Sequence, residues 1–167
     1  PQVHAAALRS VSESLARHAK LNDAVAIASR ISDDAIRYDS LMRIALARAA
    51  AGDNAGGANV GGGIGDDRVR DLARGRLAEA QARRETGDGF RGWISGVHDR
   101  VLRDQSLRRI LQERATVRRL QSASEVLPAI QTVDERSLAM ETLAVSQARN
   151  GQLARALSQA GAIERPA

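Results

Sequence analysis

Four arginines, Arg37, Arg70, Arg103 and Arg136, recur at an interval of 33 residues. A column of guanidinium groups at fixed spacing is suited to carboxylates, phosphates or peptide carbonyls. Three of the four follow an Asp by four positions, after Asp33, Asp66 and Asp99, which is the spacing of an ion pair or a shared hydrogen-bond network at a helix start. The pairing predicts a structural ladder in which each Arg clamps neighbouring repeats through carbonyls at helix ends. Arg136, with Thr132 in the Asp column, is the rung left open to an outside anion.

Phe90, Arg91 and Trp93 form a second candidate group, because aromatic and Arg side chains make interface anchors. Trp93 shares its column with Ile27, Val60 and Val126, which predicts a core position. Phe90 stands where the other repeats have Ala24, Gly57, Ala123 and Ala156, so its ring must either push its helix outward or stay partly exposed as a contact residue. The stretch from Gly56 to Gly65 is rich in glycine, yet no strand precedes it and no Lys-Ser/Thr pair follows, so phosphate cradling is not indicated. Poor helix propensity predicts a frayed helix and a soft joint there. His4, His18 and His98 lie far apart in repeat space, and the periodicity groups no nucleophile, base and orienting residue. No catalytic, cofactor or metal site is expected, and the chain is not expected to be an enzyme.

The elements that carry these residues follow from the same period. The pattern reads Ile31, Asp33, Arg37, Ile44; Ile64, Asp66, Arg70, Leu77; Val97, Asp99, Arg103, Ile110; and Ile130, Thr132, Arg136, Leu143. Ala24, Ile27, Ala28 and Ile31 mark one face of a first helix, A, in each unit. Asp33, Asp66, Asp99 and Thr132 then cap a longer helix, B, with Thr132 and Glu135 reading as a capping box. Gly52, Gly87 and Gly151 stop B helices, and between the third and fourth units Ser122 with Glu125 offers a capping box instead. Turns between A and B are predicted near residues 32, 65, 98 and 131.

A fixed period of this size, filled with helix formers, defines a solenoid in which each unit buries its apolar face against its neighbours. The expected fold is all-α: a right-handed α-solenoid of antiparallel helix pairs with about ten helices. It forms a single helical-repeat domain over 1–167, with repeats at 21–53, 54–86, 87–119 and 120–152. Half repeats at 1–20 and 153–167 suggest a fragment of a longer protein, or ends covered by a partner. Paired helices of this length with Ala and Gly at their crossings resemble tetratricopeptide-type α-solenoids, without that family's Trp, Leu-Gly and Tyr positions. The resemblance implies a superhelix whose concave face, lined by A helices, binds peptides or protein surfaces. Ala26 to Ser29 also looks like the first helix of transcription-activator-like effector repeats, but Arg30 to Asp33 does not continue that likeness.

Composition sets the remaining bounds. The net charge of +5 is concentrated in the third repeat, where eight Arg face four acids, and Lys20 is the sole Lys among 25 basic residues. That Arg bias is expected of GC-rich, bacterial coding sequence. The functional expectation is a non-catalytic scaffold or adaptor, with Asp23, Gly56, Gly89 and Ser122 along the outer A-helix column allowing a polypeptide to approach closely. The alternative is a nucleic-acid-binding repeat protein using Arg91, Arg100, Arg108 and Arg109. Self-association through the terminal half repeats is a further expectation. No run of apolar residues is long enough for a membrane span, and the absence of Cys is silent on compartment.

Overall fold

The computed structural model describes residues 2–84 and 87–163. Among these it is all-α, with ten α-helices, one 3-10 turn and no strand. The B-type helices are α1 (Gln2–Arg17), α3 (Asp34–Ala50), α5 (Asp67–Arg84), α7 (Arg100–Thr116) and α9 (Val133–Arg149). The A-type helices are α2 (Leu21–Ala28), α4 (Asn54–Gly62), α6 (Phe90–Ile94), α8 (Leu120–Ser124) and α10 (Leu153–Gly161). Pro128 lacks an amide hydrogen, and the fourth A segment accordingly breaks after α8 and resumes as a 3-10 turn at Leu127–Ala129. Residues 32, 65, 98 and 131 all fall in A-to-B turns, as the period predicts.

The chain divides into two compact units, Pro1–Ala80 and Gln81–Ala167, with the boundary inside α5. In the first unit α3 packs on α1, α2 and α4, and α1 packs on α2. Its core is Ala24, Ala28, Leu41, Ile44, Ile64 and Ala73, bordered by Leu15, Leu21, Val25, Val60 and Val69. In the second unit α9 packs on α7, α8 and α10, around Leu107, Ile110, Leu111, Val126, Ile130 and Leu143. Small residues set how close the helices come. A Cβ on buried Gly57 of α4 would lie 2.9 Å from the Ala45 carbonyl oxygen of α3.

The glycine-rich stretch is therefore a formed helix over Asn54–Gly62, and the frayed joint expected there is not what the structure has. Asp53 caps it, accepting from the Gly56 amide at 2.8 Å. Propensity loses here to packing, since only Gly at 57 permits backbone contact with α3.

B-to-A connections repeat as closely as A-to-B ones. Amides of Lys20, Asp53, Arg119 and Gln152 donate to carbonyls of Leu15, Arg48, Arg114 and Gln147 at 2.8–2.9 Å, the 6→1 bond of a Schellman motif. The residue before each donor has positive φ: Ala19 at 60°, Gly52 at 92°, Arg118 at 61° and Gly151 at 76°. Gly52 and Gly151 thus stop their helices as expected. In the third repeat Arg118 does this without glycine, and the capping box expected of Ser122 and Glu125 is absent. Ser122 lies inside α8, its hydroxyl donating to the Arg119 carbonyl, while Glu125 accepts from Gln121. The second repeat's column position, Glu85, lies outside the described residues, as does the step from Arg84 to Gly87.

Candidate interaction surface

Asp33, Asp66 and Asp99 spend their carboxylates on helix amides. Asp33 accepts from Ile36 at 2.9 Å, Asp66 from Val69 at 2.8 Å, and Asp99 from Val101 and Leu102 at 2.9 and 3.0 Å. The i,i+4 ion pairs expected with Arg37 and Arg70 give way to i,i+3 pairs with Asp34 and Asp67, one residue into the helix. The other arm of each guanidinium reaches back to the end of its own A segment: Arg37 donates to Ile31 O and Arg70 to Ile64 O, both at 2.9 Å.

Two rungs depart from this geometry. Arg103 donates to Gln131 Oε1 at 3.0 Å, linking its helix to the next A-to-B turn. Arg136 is exposed and makes no such carbonyl contact among the described residues; it lines an open hollow with Gln131, Ser137, Met140 and Ala162.

Asp104 completes a connection that sequence reasoning missed. It is fully buried in α7, and its Oδ2 accepts from the amides of Gln131 and Thr132 at 2.9 and 2.7 Å. Those two bonds fix the turn that starts α9. The Thr132–Glu135 capping box is consequently not formed: Thr132 makes no side-chain cap bond, and Glu135 pairs with Arg108 at 2.6 Å. Buried Asp71 occupies the same column, so the spacing of 33 between two mid-helix Asp residues was the available signal.

Phe90 is 1% exposed, which removes it as a surface contact residue. One turn earlier, the column that holds Leu21 and Leu120 in other repeats holds Gly87 here. Arg114, 2% exposed, lies 4.8 Å above the ring and bridges Ser122 O at 3.1 Å and Gly87 O at 2.9 Å. Burial pulls the Arg114 pKa down, with Asp88 and Glu125 opposing and Arg91 and Arg119 adding to the fall. Arg91 stays at the surface, 5.7 Å from the same ring and paired with Asp88 at 3.1 Å. Trp93 is half-buried and its indole donates to Gln81, so it borders the core as its column predicts. Gln81 and Arg114 share a column with Arg48, which pairs with Asp53 at 2.6 Å and donates to Asn22 in the first unit. Each of these B-helix residues ties down an A segment.

What remains outward is small or weakly charged. In the first unit Asp23, Ala26, Ala55 and Asn59 are exposed along α2 and α4; in the second, Gly89, Gly92, Ser95 and Gln121 are exposed and Ser122 is half-buried. Of the four arginines expected to form a basic surface, Arg91 and Arg108 are paired with acids, Arg109 is also engaged, and Arg100 donates to Gln131 O at 3.4 Å. No helix among the described residues is long and apolar enough to cross a membrane, and no group of three or more His, Asp or Glu could hold a metal ion. Comparison with protein families, curated proteins and solved structures finds no match.

Proposed function

We propose that the chain is a non-catalytic adaptor: a tetratricopeptide-like, right-handed solenoid whose A-helix face takes a peptide or protein surface. The observation that carries this reading is the division of labour between columns. Arg37, Arg70, Asp104 and Arg114 are committed to internal carbonyls and amides, while the exposed positions of α2, α4, α6 and α8 are, apart from Arg91, small or uncharged residues and Asp23. A face of small side chains lets a partner backbone come close at little side-chain entropy cost. Pairing of Arg91 and Arg108 with acids weakens the nucleic-acid alternative, since neutralised arginines release few counterions.

The test is affinity capture on the full chain from its native source, repeated with Ala26→Trp and Gln121→Trp, which place bulk on exposed A-helix positions. Capture of a protein that both variants lose, with unchanged melting, supports the adaptor. Recovery of nucleic acid alone, released by salt, overturns it.

A further inference from the structure

One half-buried column of the A helices holds Val25, Ala58 and Ser124 in the first, second and fourth repeats, and Arg91 in the third. Arg91 borders a hollow of about 180 Å3 that lies wholly within the second unit. The floor is apolar: Phe90 and Ile94 of α6, Leu107 of α7, and Val126, all buried. Two small side chains complete the lining, exposed Ser95 and half-buried Ala129. The hollow lies where the A segments are irregular. α6 is only five residues long, and the next A segment breaks after α8, continuing as a 3-10 turn in which the Ala129 amide donates to Val126 O at 3.1 Å.

The charges at this hollow share one sign. Arg91 of α6 and Arg103 of α7 both line it, and no other lining residue is charged. Arg91 already holds a carboxylate, that of Asp88 at 3.1 Å, with the two side chains 49% and 58% exposed. A surface pair of this kind contributes little, so an incoming carboxylate can take the place of Asp88 and leave the guanidinium paired. Arg103 donates to Gln131 Oε1 at 3.0 Å, and its Nε lies 3.6 Å from Oδ1 of buried Asp104. A guanidinium carries five N–H donors, so these contacts leave donors for a further acceptor.

We propose, resting on the adaptor reading above, that this hollow selects the peptide. One side chain of the size of Leu or Met enters it, and Asp or Glu side chains next to that residue pair with Arg91 and Arg103. Volume sets the size of the anchor, since an apolar cavity of about 150 Å3 takes a benzene molecule. Two cations from two helices beside one hollow match acids on either side of the apolar residue. Like charge disfavours a basic peptide in the same place.

Selection on the full chain from a library of random nonapeptides displayed on phage tests this. The enriched sequences are expected to share Leu or Met with Asp or Glu within two positions of it. The consensus peptide, made with an amidated C-terminus and a fluorescent label, is then titrated by anisotropy. Replacing its Leu or Met by Ala, or filling the hollow with Ser95→Trp, is expected to weaken binding at least about tenfold. Arg91→Gln is expected to weaken it about two- to fivefold and to flatten its salt dependence. Ala129→Leu fills the same space from the other A segment and replaces Ser95→Trp if that variant melts early. Enriched peptides with no acid near the apolar residue overturn the inference, as do hollow-filling variants that melt and bind like wild type. Should Gln121→Trp lose the peptide that those variants keep, the adaptor reading stands without this site. A library that yields no enriched peptide also overturns the inference, and capture of a protein from the native source then leaves the adaptor reading in place.

Discussion

Gly57→Ala and Gly62→Ala are the same chemical change in the same helix, and they are expected to move stability in opposite directions. Both gain helix propensity, at most about 1 kcal/mol for replacing Gly by Ala. At Gly62 nothing lies within 4 Å of the new methyl, so most of that gain is kept. At Gly57 the methyl would be 2.9 Å from Ala45 O, 3.5 Å from Ala49 N and 3.6 Å from Ala49 Cβ. Backbone atoms cannot swing aside like a side-chain tip, so α4 must move off α3 by a few tenths of an ångström across a buried contact. Overpacking of this kind costs roughly 1–3 kcal/mol. The propensity gain is smaller at Gly62, the last residue of α4, than at interior Gly57, so the difference between variants is a lower bound on that steric cost. Paired urea titrations followed by far-UV circular dichroism read it directly, and melting should place Gly57→Ala below Gly62→Ala by roughly 2–4 °C per kcal/mol for a chain of this size. A Gly57→Ala chain as stable as Gly62→Ala would refute the reasoning that glycine sets the α3–α4 approach.

Arg118→Gly is expected to raise stability by about 0.5–1 kcal/mol in thermal melts, because an L side chain at φ 61° carries a penalty that glycine avoids, less the entropy cost of glycine. Gly151→Ala, at φ 76°, should lower it by a similar amount in the same assay. Asp104→Ala strands the Gln131 and Thr132 amides and should cost about 2–3 kcal/mol in urea, with Asp104→Asn, which keeps an acceptor, costing less. Arg114→Met leaves two carbonyls without donors and is expected to cost about 2–4 kcal/mol; Arg114→Lys, whose ammonium cannot span both, should recover only part of it in parallel melts. Asp53 is held below the usual carboxylate range by the Gly56 amide first and Arg48 second. Its folded pKa lies under its unfolded one, so its contribution is complete above the ordinary carboxylate range and lost as pH falls through the lowered value. Melting differences between wild type and Asp53→Asn should hold constant from about pH 7 to 5 and shrink towards pH 3.

Elements marked by a local chemical need were the ones legible in the amino-acid order. Asp33, Asp66 and Asp99 are read as caps because a short carboxylate before an apolar stripe has few other uses, and the structure places all three on helix amides. Gly52 and Gly151 are legible for a similar reason. Ala19 and Arg118 adopt the same left-handed conformation with no such signal, since the 6→1 bond that holds them there is made by residues on either side. Longer-range substitutions of one partner for another were beyond local reading. Glu135 leaves its cap for Arg108, and Asp104, 27 positions earlier in the chain, takes over the turn that Thr132 and Glu135 were expected to finish.

Periodicity in a helical-repeat sequence reports what each repeat does to the next, because a contact made once per repeat needs its residues once per repeat. The Arg column was therefore poor evidence for a ligand from the outset, and Arg37 and Arg70 are occupied by the chain's own carbonyls. Breaks in the period are more informative, but they too can be internal: Phe90 interrupts a column of Ala and Gly, yet its ring is buried and Arg114 covers its face.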